Sequence, residues 1–72
     1  MMLQEKIALV EECMDLDEGT LKMEDLLSSY DEWDSVSGLS IISMIDTHFN
    51  KMITGNEIKN VKTVSDIIAL ME

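Results

Sequence analysis

Ser35 is the side chain of this 72-residue protein whose neighbours most favour chemistry. It follows Asp34 and opens a run, Val36 to Phe49, that keeps the period of a helix. Asp and Ser are preferred at helix starts because a side-chain oxygen takes up one of the unpaired amide protons of the first turn. The same place suits a phosphate, since the free amides and the helix dipole both favour negative charge there. The pair therefore reads either as a plain cap or as a cap beside a serine to which a phosphate-bearing group is attached.

The remaining reactive side chains assemble no machinery of their own. Ser35, His48 and Asp46 or Asp66 nominally supply a triad. On one helix, however, Ser35 and His48 are separated by about 20 Å at 1.5 Å per residue, whereas a serine and its base must lie within hydrogen-bond reach. There is one histidine, and neither metal-ligand spacing nor a glycine-rich phosphate loop occurs. Asp15-Leu16-Asp17-Glu18-Gly19 invites a calcium reading, but the EF-hand positions that need Gly and a bidentate Glu hold Thr20 and Leu26. Only weak, opportunistic cation binding is left open for it. Cys13 stands beside Glu11, Glu12 and Asp15, which raise a thiol pKa rather than lower it, so a structural role is expected. No enzyme is expected, and any chemistry at Ser35 must come from other proteins.

The elements that would position Ser35 follow from periodicity. In the serine helix, Ile41, Ile42, Met44, Ile45, His48 and Phe49 share one arc with Gly38 at its centre. Val36, Leu39, Ser40, Ser43, Asp46 and Thr47 share the other. Leu3, Ile7, Val10 and Met14 make the buried stripe of a first helix, with Gln4, Glu5, Glu11 and Glu12 turned away. Residues 15 to 33 lose the period while keeping Leu16, Leu21, Met23, Leu26, Leu27, Tyr30 and Trp33, which should pin a long first loop, with room for a turn of helix over Thr20 to Leu27. Thr54 followed by Glu57, and Thr63 followed by Asp66, are reciprocal cap patterns. The first opens a short helix near Ile53 to Lys59. The second opens a last helix with the stripe Val64, Ile67, Ile68 and Met71. Met14, Met44, Met52 and Met71 are expected core fillers, and Trp33 an aromatic plug beside the start of the serine helix.

Composition sets the class. Residues 1–72 form one small domain, all-α, with no proline, three glycines and no period-two strands. The net charge is -10, and it is concentrated ahead of Ser35, where residues 1–34 hold eleven acidic and two basic side chains. Such a chain is repelled by phosphate backbones and anionic lipid, so neither nucleic-acid binding nor membrane insertion is expected, and basic protein surfaces are its natural counterparts. A single cysteine and the lack of a basic-then-apolar leader suit a cytoplasmic protein, expected to be a monomer.

Asp34-Ser35-Val36 followed by an amphipathic helix ending in Phe49 resembles the Asp-Ser-Leu helix of acyl carrier proteins. The likeness spans nearly the whole chain: a leading amphipathic helix, a long acidic loop, the serine helix, a short helix and a final helix. It implies a small carrier-like bundle of three main helices plus one short one. It further implies a covalent 4'-phosphopantetheine arm on Ser35, with Asp34 the adjacent motif residue. A phosphopantetheinyl transferase would attach the arm, and acyl-loading and acyl-transfer enzymes would use it. Val36, Leu39, Ser40, Ser43, Asp46 and Thr47 would then face partners, and Ile41, Ile45, Phe49, Ile53, Ile58 and Ile68 would line a chain-binding core. The chain departs from the family in having Val36 where leucine is commoner and in a serine helix whose outward face has Asp46 alone as an acid. A specialised fatty-acid, polyketide or related pathway is expected, the departure weakening the fatty-acid assignment and making a polyketide, lipid-modification or aminoacyl pathway at least as apt. The glycine-rich lead-in typical of peptidyl carriers is missing. The competing expectation is an acidic helical interaction module without a prosthetic group.

Overall fold

The computed structural model describes residues 2–72 and is all-α: α1 (Leu3–Cys13), α2 (Ser35–Phe49), α3 (Gly55–Asn60) and α4 (Val64–Leu70), with a single 3-10 turn at Leu27–Ser29. α2 is the central element and packs against both α1 and α3, while α1 also meets α4. Val10, Met14, Leu27, Ile41, Ile45, Val64 and Ile67 form the sealed centre. Each contributes on the order of 1.5 to 3 kcal/mol relative to an exposed side chain.

Local chemistry sets the helix ends. Thr54 Oγ1 accepts the Glu57 amide at 3.2 Å and Glu57 Oε1 accepts the Thr54 amide at 3.2 Å. Thr63 and Asp66 repeat the arrangement at the start of α4. α3 accordingly begins at Gly55, two residues later than the apolar pattern around Ile53 implies. α1 ends in a left-handed residue, Asp15 (φ 58). There the Leu16 amide reaches back to the Glu11 carbonyl at 2.8 Å and the Asp15 amide to the Glu12 carbonyl at 3.1 Å, the paired bonds of a Schellman end. Asn50 (φ 55) closes α2, its amide bonded to the Asp46 carbonyl at 3.0 Å.

Of the side chains expected to pin the loop between α1 and α2, Leu21 and Leu27 are buried and Leu16, Met23, Tyr30 and Trp33 pack against the core, whereas Leu26 does not. No helical turn forms over Thr20 to Leu27. Instead the loop lies against the entry to α4: Leu27 N–H donates to the Lys62 carbonyl at 2.9 Å, Val64 N–H to the Asp25 carbonyl at 3.2 Å and Ser65 N–H to the Met23 carbonyl at 3.0 Å, around an isolated antiparallel bridge between Leu26 and Thr63. The Leu26 side chain is exposed, and the bonds that pin the loop there come from the flanking Asp25 carbonyl and Leu27 amide, while Leu21 and Leu27 plug the core.

Glu11 is the second correction. Rather than turning away it is 2 % exposed, and its Oε2 accepts the Leu21 amide at 2.8 Å. A loop amide drawn into the core needs an acceptor, and the third turn of α1 supplies one. Met52, expected inside, is 87 % exposed because the connection between α2 and α3 turns only Ile53 inward. Leu3, expected in the buried stripe of α1, also lies largely outside.

Candidate functional site

Ser35 is the first residue of α2, and its side chain is exposed. Asp34 is the cap: its Oδ1 accepts the Ser37 amide at 2.9 Å, while Ser37 Oγ accepts the Asp34 amide at 2.9 Å and donates to the Asp34 carbonyl at 3.0 Å. Ser37, which is buried, thus takes the third-position role that a Glu or Gln fills in the usual reciprocal cap. With Asp34 and Ser37 satisfying the cap, the Ser35 hydroxyl is not needed for it. Asp34 is thus the capping residue, and Ser35 is left at the surface. The Ser35 and Val36 amides, at the first two positions of the helix, have no carbonyl in a preceding turn to bond.

Ser35 stands at the edge of an apolar groove of about 440 Å³ between the start of α2 and α3. Trp33, Gly38, Leu39, Ile42 and Ile58 form its apolar walls, with Asp34, Gly55 and Lys59 completing it. Gly38 opens it: a Cβ there would stand 3.7 Å from Ile58 Cγ2, in ordinary contact, and would occupy space between the helices. Trp33, half-buried, is a wall of the groove as well as a plug.

The residues expected to face partners fall as the helical wheel places them, with one difference. Val36 (70 % exposed), Leu39 (66 % exposed), Ser43, Asp46 and Thr47 are at the surface, whereas Ser40 is half-buried. His48, placed on the core arc by periodicity, is exposed and lies at the surface beside Leu9, Glu12 and Cys13 of α1. Of the six residues expected to line a chain-binding core, Ile41, Ile45, Ile53, Ile58 and Ile68 are buried. Phe49 is half-buried, its ring 6.0 Å from Lys6 Nζ. Of the six only Ile58 lines the groove beside Ser35. Ile42, which periodicity placed on the core arc, is half-buried and lines the groove, whereas Trp33 and Lys59 are groove residues that periodicity did not single out, and the sequence signal for Lys59 was its charge alone on a short helix.

Elsewhere, Cys13 is half-buried and its thiol is pushed up, first by burial and then by Glu12, which fits an unreactive structural side chain. Tyr30 is also raised, chiefly by its hydrogen bond to Asp25 Oδ2 at 2.9 Å. Among the described residues no cluster of His, Cys, Asp or Glu is placed to hold a metal ion, and no helix is long and apolar enough to cross a membrane. No family model, curated protein or solved structure matches the chain.

Proposed function

We propose that this protein is an acyl carrier that catalyses nothing itself and holds acyl or aminoacyl groups as thioesters on a 4'-phosphopantetheine arm at Ser35. The observation that carries the reading is the separation of roles at the start of α2: Asp34 and Ser37 complete the cap, leaving the Ser35 hydroxyl exposed beside an apolar groove. The residues present suit the arm. Ser35 supplies the oxygen for a phosphodiester, the first-turn amides and helix dipole favour the phosphate, and Trp33, Leu39 and Ile42 offer apolar surface to the pantetheine chain. In the transfer, Ser35 Oγ bonds to phosphorus and loses its proton to the transferase's base, while adenosine bisphosphate leaves coenzyme A. The arm's thiol then supplies the thioester chemistry.

In this reading a phosphopantetheinyl transferase and pathway enzymes are the partners, and the monomer acts in the cytoplasm. The partner enzymes approach Val36 and Leu39 on the exposed face of α2. The neutral character of that face favours a specialised fatty-acid, polyketide or related pathway.

The test is intact mass after incubation with coenzyme A and a broad-specificity phosphopantetheinyl transferase. Wild type should gain one arm, and Ser35→Ala none while keeping its helical circular dichroism. A wild type left unmodified where a control carrier is loaded would replace this reading with an interaction module docking through Val36 and Leu39.

A further inference from the structure

The wall of the serine groove opposite α2 carries a positive charge, in a protein with five lysines and a net charge of -10. The lysines are differently engaged. Lys6 lies over the Phe49 ring. Lys62 follows α3, its charge close enough to help hold the Asp66 carboxyl below its ordinary value. Lys22 is beside Gly19 and Leu21 at the far end of α1. Lys51 is half-buried in the α2 to α3 connection. Lys59, exposed at the last turn of α3, lines the same groove as Ser35, and among the described residues it is the cation that does so.

An anion fixed to Ser35 meets an unfavourable field from the chain as a whole and from the adjacent Asp34 carboxylate, which also lines the groove. The first-turn amides of α2 offset part of this. Among the described residues, the full positive charge lining the groove is that of Lys59 on its opposite wall. We propose that Lys59 is a positioning residue for the phosphodiester on Ser35, pairing with it across the groove and so laying the arm along the apolar wall of Trp33, Leu39 and Ile42. The proposal rests on the carrier reading and goes beyond it, in assigning α3 an electrostatic role toward the arm. Lys59 takes no part in attachment, in which the transferase supplies the base and coenzyme A is the donor.

The test loads wild type, Lys59→Ala, Lys59→Glu and Lys59→Arg with coenzyme A and a broad-specificity transferase, confirms loading by intact mass, and records the ³¹P spectrum at low and high ionic strength. In loaded wild type the phosphodiester resonance should shift as salt screens the pair. Lys59→Arg should retain that shift, and Lys59→Ala and Lys59→Glu should lose it. Amide resonances of Gly55 to Asn60 should move on loading in wild type and much less in Lys59→Ala. Because Lys59 is exposed, all four chains should fold alike by circular dichroism. Loaded Lys59→Ala with the wild-type ³¹P response overturns the role of Lys59 and leaves the carrier reading intact. Failure of wild type to gain mass overturns both, and the mass measurement separates the two outcomes.

Discussion

Glu11 Oε2 accepts the amide proton of Leu21 at 2.8 Å, across ten residues of chain and inside the core. This bond fastens the first loop to α1, while the Leu26 to Thr63 bridge fastens it to the entry of α4. The loop that delivers Trp33 and Asp34 to the head of α2 is therefore held at two places through its backbone groups. Replacing Glu11 by Ala leaves the Leu21 amide buried without an acceptor, at a cost of about 1 to 3 kcal/mol. Glu11→Gln keeps an acceptor oxygen and should lose less. Urea unfolding of the two variants measures the difference, and amide exchange at Leu21 should accelerate in Glu11→Ala first. Equal losses in both would show that the charge, and not the bond, is what matters.

Asp15 occupies the left-handed position of the Schellman end of α1, at φ 58. A residue with a Cβ is strained there by roughly 1 kcal/mol relative to glycine. Asp15 also shares a surface pocket with Glu11, Glu12 and Glu18, a crowd of like charges. Asp15→Gly should raise the midpoint of thermal unfolding, and Asp15→Asn, which removes the charge at little conformational change, should raise it by less. A lower midpoint for Asp15→Gly would mean that glycine's greater freedom in the unfolded chain outweighs the relief.

Asp66 is held below the ordinary carboxylate value, first by the Lys62 amide and then by the Thr63 amide, both bonded to its Oδ2. A carboxyl whose pKa is depressed on folding stabilises the fold above its unfolded pKa. That contribution is lost as pH falls through the lower, folded value. Stability should thus decline on the acid side of the ordinary aspartate pKa, and Asp66→Asn should flatten that part of the profile. Chemical denaturation over a pH series reads the slope. An unchanged acid limb in Asp66→Asn would place the acid sensitivity in other carboxylates.

Leu39, 66 % exposed one turn from Ser35, should carry more of partner recognition than Asp46. Completing its burial against a partner is worth about 1 to 2 kcal/mol, and one exposed ion pair about 0.2 to 1 kcal/mol. On the carrier reading, Leu39→Ala should lower kcat/KM for arm transfer by roughly 5- to 30-fold, mainly through KM. Asp46→Asn should have a smaller effect that fades with salt. Steady-state kinetics with one transferase decides the order, and a larger loss for Asp46→Asn would show that recognition is electrostatic despite the neutral helix.

The elements that were legible in the sequence depend on groups close along the chain. The caps at Asp34, Thr54 and Thr63 are bonds between residues three apart, and the buried stripes of α2 and α4 are set by helical period. Those features, with the absence of period-two strands, sufficed for an all-α bundle and for Ser35 at a helix start. The burial of Glu11 was not legible, because a carboxylate among other acids reads as solvated until the loop that needs its oxygen is in place. Nor was the exposure of Met52 and His48, since an apolar residue in a connection and a polar one on an apolar arc are placed only by the segments that pack around them. The groove beside Ser35 lies at the same limit: Trp33, Ile42, Ile58 and Lys59 come from three segments, and only the packing of α3 on α2 makes them neighbours. Local hydrogen bonding and periodicity determined the helices and the serine. Which charges and apolar surfaces surround that serine was decided by tertiary packing, because side chains distant in sequence share an environment only once the helices have docked.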